Sequence, residues 1–154
     1  MKAISTEQLN RHLASGLHPM YIIQGDALLL SIEAADSIRI AAKQAGFEER
    51  DTLIAEANFK WTLLQQATQN ISLFSSKKVI DLRIPSGKPG TEGAKALLEY
   101  VNHLNPDNLT LITLPKLDKS TQKSKWYTTL EKHAVVINAN DIDRHALPAW
   151  IAGR

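Results

Sequence analysis

At 154 residues, with 44% hydrophobic residues and a net charge of +2, the chain has the length of one domain and enough apolar material for a core, which excludes a disordered polymer. It contains no cysteine, so disulfides, thiolate nucleophiles and thiolate metal sites are excluded and a reducing compartment fits. Met1 to Glu7 lacks the apolar stretch of a signal peptide, and no run approaches the roughly 20 apolar residues of a membrane span, so the expectation is a soluble, cytoplasmic chain with no membrane partner.

Helix and strand patterns alternate along the chain. Ser5 with Gln8 forms a capping box, and the helix it opens should stop at Gly16. Met20-Tyr21-Ile22-Ile23 reads as a buried strand. Gly25-Asp26 ends it, and Asp26 is placed to cap a long helix with Leu28, Ile32, Ala35 and Ala42 on one face and Glu33, Asp36, Arg39 and Lys43 mostly away from it. After Gly46 comes a weaker strand, Thr52-Leu53-Ile54-Ala55, and Asn58 can cap a helix through Phe59, Trp61, Leu63 and Leu64. Val79 to Ile84 is a further strand, and Pro85 to Gly90 the clearest loop. The helix from about Thr91 carries Ala94, Leu97, Leu98, Val101 and Leu104 at helical spacing. Pro106-Asp107-Asn108 turns into the strand Leu109 to Leu114, and a polar connection leads to a helix around Trp126 to Leu130. Ala134 to Ile137 is a last strand, before a final helix from Asp143 or Arg144 containing Leu147, Trp150 and Ile151. Five strands separated by helices predict an α/β fold, an open, mostly parallel five-stranded sheet with helices on both faces.

Ligands of such sheets bind beyond the carboxyl ends of the strands. The turn after the first strand, Gln24-Gly25-Asp26-Ala27-Leu28-Leu29-Leu30-Ser31, has one suitable glycine, no Gly-Lys-Ser or Gly-Lys-Thr, and an Asp that repels phosphate. The pattern predicts no nucleotide cofactor. Histidines 12, 18, 103, 133 and 145 make no metal-ligand spacing with one another or with an acid. Glu48, Glu49 and Asp51 read as a solvated polar turn, and Asp141 and Asp143 as capping residues. Ser31, Ser75 and Ser76 have no His partner nearby in sequence. Residues 1–77 carry seven Lys/Arg against eight Asp/Glu, and residues 78–154 eleven against eight, with the excess around Lys116, Lys119, Lys123 and Lys125. That run reads first as a solvated face, with nucleic-acid contact as its functional alternative.

The segment Gln69-Asn70-Ile71-Ser72-Leu73-Phe74 puts three large apolar side chains where turn residues are expected. Leu73 and Phe74 either tuck into the core or form an exposed anchor for a partner's pocket.

Gln69 to Phe74 looks like a clamp-binding motif, a Gln and a short spacer ending in Ser-Leu-Phe. Ile22 to Leu30, Gln44 to Glu49, Ser72 to Lys78, Leu117 to Gln122, Trp126-Tyr127 and Leu147 to Ile151 resemble, in the same order, segments of the delta subunit of bacterial DNA polymerase III. The resemblance spans nearly the whole chain. It implies an AAA+/RecA-like fold with a degenerate phosphate loop over residues 1–140. Residues 141–154 would begin a small helical lid, with the rest of the lid and a C-terminal collar lying beyond them. It also implies DNA replication as part of the polymerase III holoenzyme, without ATPase activity of the chain's own. Leu73 and Phe74 would fill a pocket on the beta sliding clamp, supported by Gln69, Ile71 and Ser72, and so help open the ring. Other loader subunits would be partners through regions outside this sequence, and DNA would be bound weakly by this part. The alternative reading is a small α/β ligand-binding domain or enzyme with a loop-built site.

Overall fold

A computed structural model describes residues 4–47, 49–56, 59–69, 77–102 and 108–139. The elements are β1 (Ile4–Ser5), α1 (Thr6–Ala14), β2 (Met20–Gln24), α2 (Leu28–Gln44), β3 (Glu49–Ile54), α3 (Thr62–Gln69), β4 (Lys78–Arg83), α4 (Gly90–Asn102), β5 (Asn108–Leu114), α5 (Lys119–Gln122), α6 (Lys125–His133) and β6 (Val135–Asn138). The sheet runs β1-β6-β2-β5-β4-β3, and every pairing is parallel. The five expected strands are all present. The two-residue β1, too short to show a period, adds to the edge beside β6.

Parallel strands need crossovers, and the crossover helices cover both faces. Met20, Tyr21, Ile22 and Ile23 of β2 are wholly buried for that reason. Tyr21 and Ile23 face the layer made by α1 and α2, with Leu9, Ala34, Ala35, Ile38, Ala42, Leu111 and Ile137. Met20 and Ile22 face the opposite core, built on Leu64, Leu97, Val101, Trp126, Tyr127 and Leu130.

Four local expectations are corrected. The buried stripe of α2 is Ser31, Ala34, Ala35, Ile38 and Ala42. Leu28 and Ile32 are 74% and 47% exposed, because small side chains let the helix lie close on the sheet and turn the longer ones outward. The N-cap of α2 is Ala27, which offers no side-chain cap, rather than Asp26. β3 begins at Glu49, so Glu49 and Asp51 belong to an edge strand and not to a polar turn. α3 begins at Thr62, leaving Phe59 and Trp61 in the approach to it, while Asn58 lies outside the described residues. The polar connection after β5 contains the short helix α5, capped by Asp118, whose carboxylate accepts from Thr121 N. The final helix expected from residue 143 also lies outside the described residues.

Candidate functional site

Two places in this architecture bear on function, at opposite ends of the parallel strands. The first is the carboxyl end of β2, between β5 and β6, where sheets of this kind hold a ligand. A phosphate needs backbone N–H groups left free and converging. Here Gly25 N donates to Leu114 O at 3.3 Å and Ala27 N to Ala139 O at 2.9 Å. Ala139 N in turn donates to Gln24 O at 2.7 Å. The turn is therefore laced to the ends of β5 and β6, and the amides of Gly25 and Ala27 are used within the protein. The Gln24 side chain completes the closure: its Nε2 donates to the Tyr127 hydroxyl at 3.2 Å and its Oε1 accepts from Leu117 N at 3.4 Å. Burial, and secondarily the charge of Glu131, push the Tyr127 hydroxyl up to about 12, so it stays a neutral partner at any physiological pH. Beyond the turn come Leu28 and Leu29, 74% and 63% exposed, where a phosphate loop would place Lys and a hydroxyl.

The second place is the passage from α3 into β4. α3 is held from below by Leu64, which is buried in the core. It is held from its start by Trp61, whose ring makes an edge contact with Phe59 at 5.0 Å between centroids. The indole lies against Gly93 of α4, where a Cβ would meet ring atoms at 2.5 and 2.6 Å. Gly93 is thus the flat spot that lets Trp61 lie on α4. On the far side of the passage, Lys78 opens β4 and its Nζ reaches Asp51 Oδ2 on β3 at 3.0 Å. Lys77 lies across the turn between α2 and β3, with its Nζ 5.4 Å from the Phe47 ring centroid. Both flanking elements are pinned, and the start of β4 lies with the starts of β3 and β5 at the amino ends of the strands, away from the closed phosphate turn.

Leu73, Phe74, Ile71 and Ser72 lie outside the described residues. Gln69 closes α3, and only its backbone is described. The pins Trp61, Gly93, Lys77, Lys78 and Asp51 escaped sequence reasoning. Each acts on a residue distant in the chain, and only the Lys77-Lys78 pair beside an apolar hexapeptide hints at a boundary.

The lysines at 116, 119, 123 and 125 are exposed, as a solvated face requires. They follow β5, at the end of the sheet opposite the start of β4. Lys88, also exposed, joins them, since its charge helps to hold the Asp118 carboxyl low, after the larger effect of hydrogen bonds from Thr121. Among the described residues no three His, Cys, Asp or Glu side chains gather as metal ligands, and no helix is long and apolar enough to cross a membrane.

A family model described as DNA polymerase III, delta subunit, matches residues 21–140. The chain is similar to DNA polymerase III subunit delta of Haemophilus influenzae, at 34% identity over 100% of this chain and 45% of that one. It is similar to the Escherichia coli subunit of the same name, at 31% identity over 96% of this chain and 43% of that one. The chain thus spans about half the length of the relatives it matches. Among solved structures, the Bacillus subtilis DNA clamp loader delta protein superposes with a TM-score of 0.75 at 17% identity, over 96% of this chain and 46% of that one. A DNA polymerase III gamma subunit-related protein of Thermotoga maritima gives 0.54 at 12% identity, over 91% and 47%. At those identities the likeness is one of fold.

Proposed function

Because this chain belongs to the DNA polymerase III delta subunit family, we propose that it is the clamp-gripping module of a replicative clamp loader. Leu73 and Phe74 enter a hydrophobic pocket on the beta sliding clamp, with Gln69, Ile71 and Ser72 shaping the turn that presents them. What carries the reading is the position of that hexapeptide: it joins two elements, α3 and β4, that are each pinned to the body of the domain. A rigid mount lets an anchor deliver its binding energy without first ordering its support.

The chain does mechanical work and no chemistry of its own. A contact stronger with the opened ring than with the closed one shifts the clamp toward opening, and an indifferent contact shifts nothing. The closed turn after β2 supports a module that leaves ATP to other loader subunits. Those subunits join through parts of the protein beyond this sequence, and the assembly works in the cytoplasm. DNA contact by this part, through the lysines at 116, 119, 123 and 125, is weak and lacks sequence preference.

Phe74→Ala tests the reading. Loss of an interface anchor costs at least ~2 kcal/mol of binding, whereas a core phenylalanine truncated to alanine costs roughly 3–5 kcal/mol of fold stability. Titration with purified clamp should show binding weakened ~30-fold or more, with a melting temperature close to that of the parent. A large fall in melting temperature with unchanged clamp affinity of the folded protein would sink the proposal.

A further inference from the structure

The two faces of the sheet are not equally covered. Among the described elements, the layer over Tyr21 and Ile23 holds only the helices α1 and α2, and α2 packs on β2 and β5. The pairing of Arg50 with Val79, Thr52 with Asp81 and Ile54 with Arg83 puts those β3 residues on this same face. All three are exposed, Ile54 by 46%, so the floor made by β3 and the end of β4 has no described helix over it. A flank of α2 walls this floor. Arg39 reaches Asp81 of β4 from that flank, and Ile32 and Leu28, about two and three turns before Arg39, share its stripe. Both are left in water, by 47% and 74%. The open width suits one more helix. Neighbouring strands stand about 4.8 Å apart, so a helix over β4 and β3 would run about 10 Å from α2, the distance at which helices pack side by side.

We propose that this slot takes a helix of a partner protein, apolar along one stripe and acidic beside it. Leu28, Ile32 and Ile54 offer the apolar contact, and grouped apolar side chains of this kind mark interaction sites. The charge comes from two arginines on the floor. None of the ion pairs among the described residues uses Arg50. Arg83 is 43% exposed and shares one oxygen of Asp81 with Arg39, at 3.4 Å against 2.8 Å for Arg39, so it has donors left for a second carboxylate. The acids nearby do not neutralise this floor. Asp81 is buried beneath it, and Asp36 is engaged by Arg39 at 2.6 Å. Asp26, at the start of α2, has an interaction of its own. Glu33 lies about 100° round the helix from Ile32, away from the floor. Glu49 and Asp51 alternate to the other face of β3, where Asp51 meets Lys78. The inference goes beyond the clamp reading and stands on residues which that reading does not use.

Two labelled, stapled helical peptides of about five turns are the probes. Both carry a leucine stripe, flanked by glutamates in one and by lysines in the other. In anisotropy titrations of the whole chain at physiological salt, the glutamate peptide should bind at least about tenfold tighter than the lysine peptide. Arg50→Glu should cut that preference several-fold. Ile54→Asp should weaken the glutamate peptide about tenfold or more with little change in melting temperature, because residue 54 is exposed. Leu63→Asp, at an exposed leucine of α3 on the other face, should leave binding as it was. No saturable binding, equal affinity for the two peptides, indifference to Arg50→Glu or Ile54→Asp, or an equal loss from Leu63→Asp would each overturn the proposal. So would self-association of the parent that Ile54→Asp abolishes, which would give the slot to a second copy of this chain. No clamp is present in the assay, so this test and the Phe74→Ala titration fail separately.

Discussion

Asp81 is wholly buried in β4, a costly place for a carboxylate. Its Oδ2 accepts from Arg39 Nη1 of α2 at 2.8 Å and from Arg83 Nη2 at 3.4 Å, while its Oδ1 has no partner. Arg39 also donates to Asp36 at 2.6 Å. The pair rivets the long helix to the sheet through one good hydrogen bond, so the arrangement is sensitive to loss of either side. Arg39→Met should lower stability by about 3–5 kcal/mol, because it strands a buried charge. Adding Asp81→Leu should recover most of that loss, since the stranded charge is then gone. Urea midpoints of the single and double variants decide this: a double variant less stable than Arg39→Met would refute it. On the same face of the sheet, two strands away, the Tyr21 hydroxyl accepts from His18 N at 2.8 Å and lies 3.0 Å from His12 Nε2. Either Tyr21 or His12 can be the donor of that second hydrogen bond, according to the tautomer of the imidazole. Desolvation, and then the charge of His18, lower the His12 pKa below 6.5. The unfolded chain thus takes up a proton at His12 at higher pH than the folded one does. Its contribution to stability is complete above 6.5 and is lost as pH falls from there through the lowered folded value. His12→Gln should flatten the stability profile over that window relative to the parent, as read from urea midpoints between pH 7.5 and 5.

At the scale of elements, the setting of α3 depends on helix α4. Its buried face, Gly93, Leu97, Tyr100 and Val101, with Ala94 and Leu98 partly buried beside it, follows the spacing its sequence predicts. What the spacing does not predict is that Gly93 is a contact and not a weakness. Glycine in a helix interior costs about 1 kcal/mol relative to alanine, so by propensity alone Gly93→Ala would stabilise. A Cβ there would stand 2.5 Å from the Trp61 ring and 2.6 Å from Pro89 Cβ, and neither a packed indole nor a proline ring yields easily. Overpacking of this sort costs typically 1–3 kcal/mol. The steric effect wins, and Gly93→Ala should lower the melting temperature and shift the emission of Trp61. Combining it with Trp61→Ala should give less than the sum of the two losses, because the clash has been removed already. A melting temperature raised by Gly93→Ala would show that Trp61 is not held where described. The start of α3 was misplaced for a related reason: Phe59 and Trp61 fit a helical spacing but are spent as packing residues ahead of it.

For the molecule as a whole, the body is a sheet with two different ends. One end has closed the turn after β2 with its own backbone, and the other carries the start of β4, where Lys78 reaches Asp51. Mg-ATP calorimetry on the whole chain should show no saturable binding, since Gly25 N and Ala27 N are committed to Leu114 O and Ala139 O and no lysine stands in the turn. Introducing Leu29→Lys and Leu30→Ser should not restore affinity, because the amides remain engaged. Micromolar binding by the parent would contradict this account of the turn, and micromolar binding by the double variant would move the cause from backbone to side chains.

The α/β class, the five main strands and the lack of a phosphate loop were legible in the sequence, because alternating hydrophobic periods and missing Gly, Lys and Ser residues are local properties. The same locality brought out the Gln69–Phe74 hexapeptide, whose Leu73 and Phe74 lie outside the described residues. Strand order was not legible, since β2 pairs with β5 and β6 across most of the chain and periodicity carries no information about neighbours. Nor was the rotation of α2, which is set by how closely alanines let it approach the sheet. Burial of Asp81 beside Arg39 and the fit of Trp61 on Gly93 likewise join residues that are far apart in sequence. Such contacts depend on distances that arise when the chain closes on itself, so only the tertiary structure decides them.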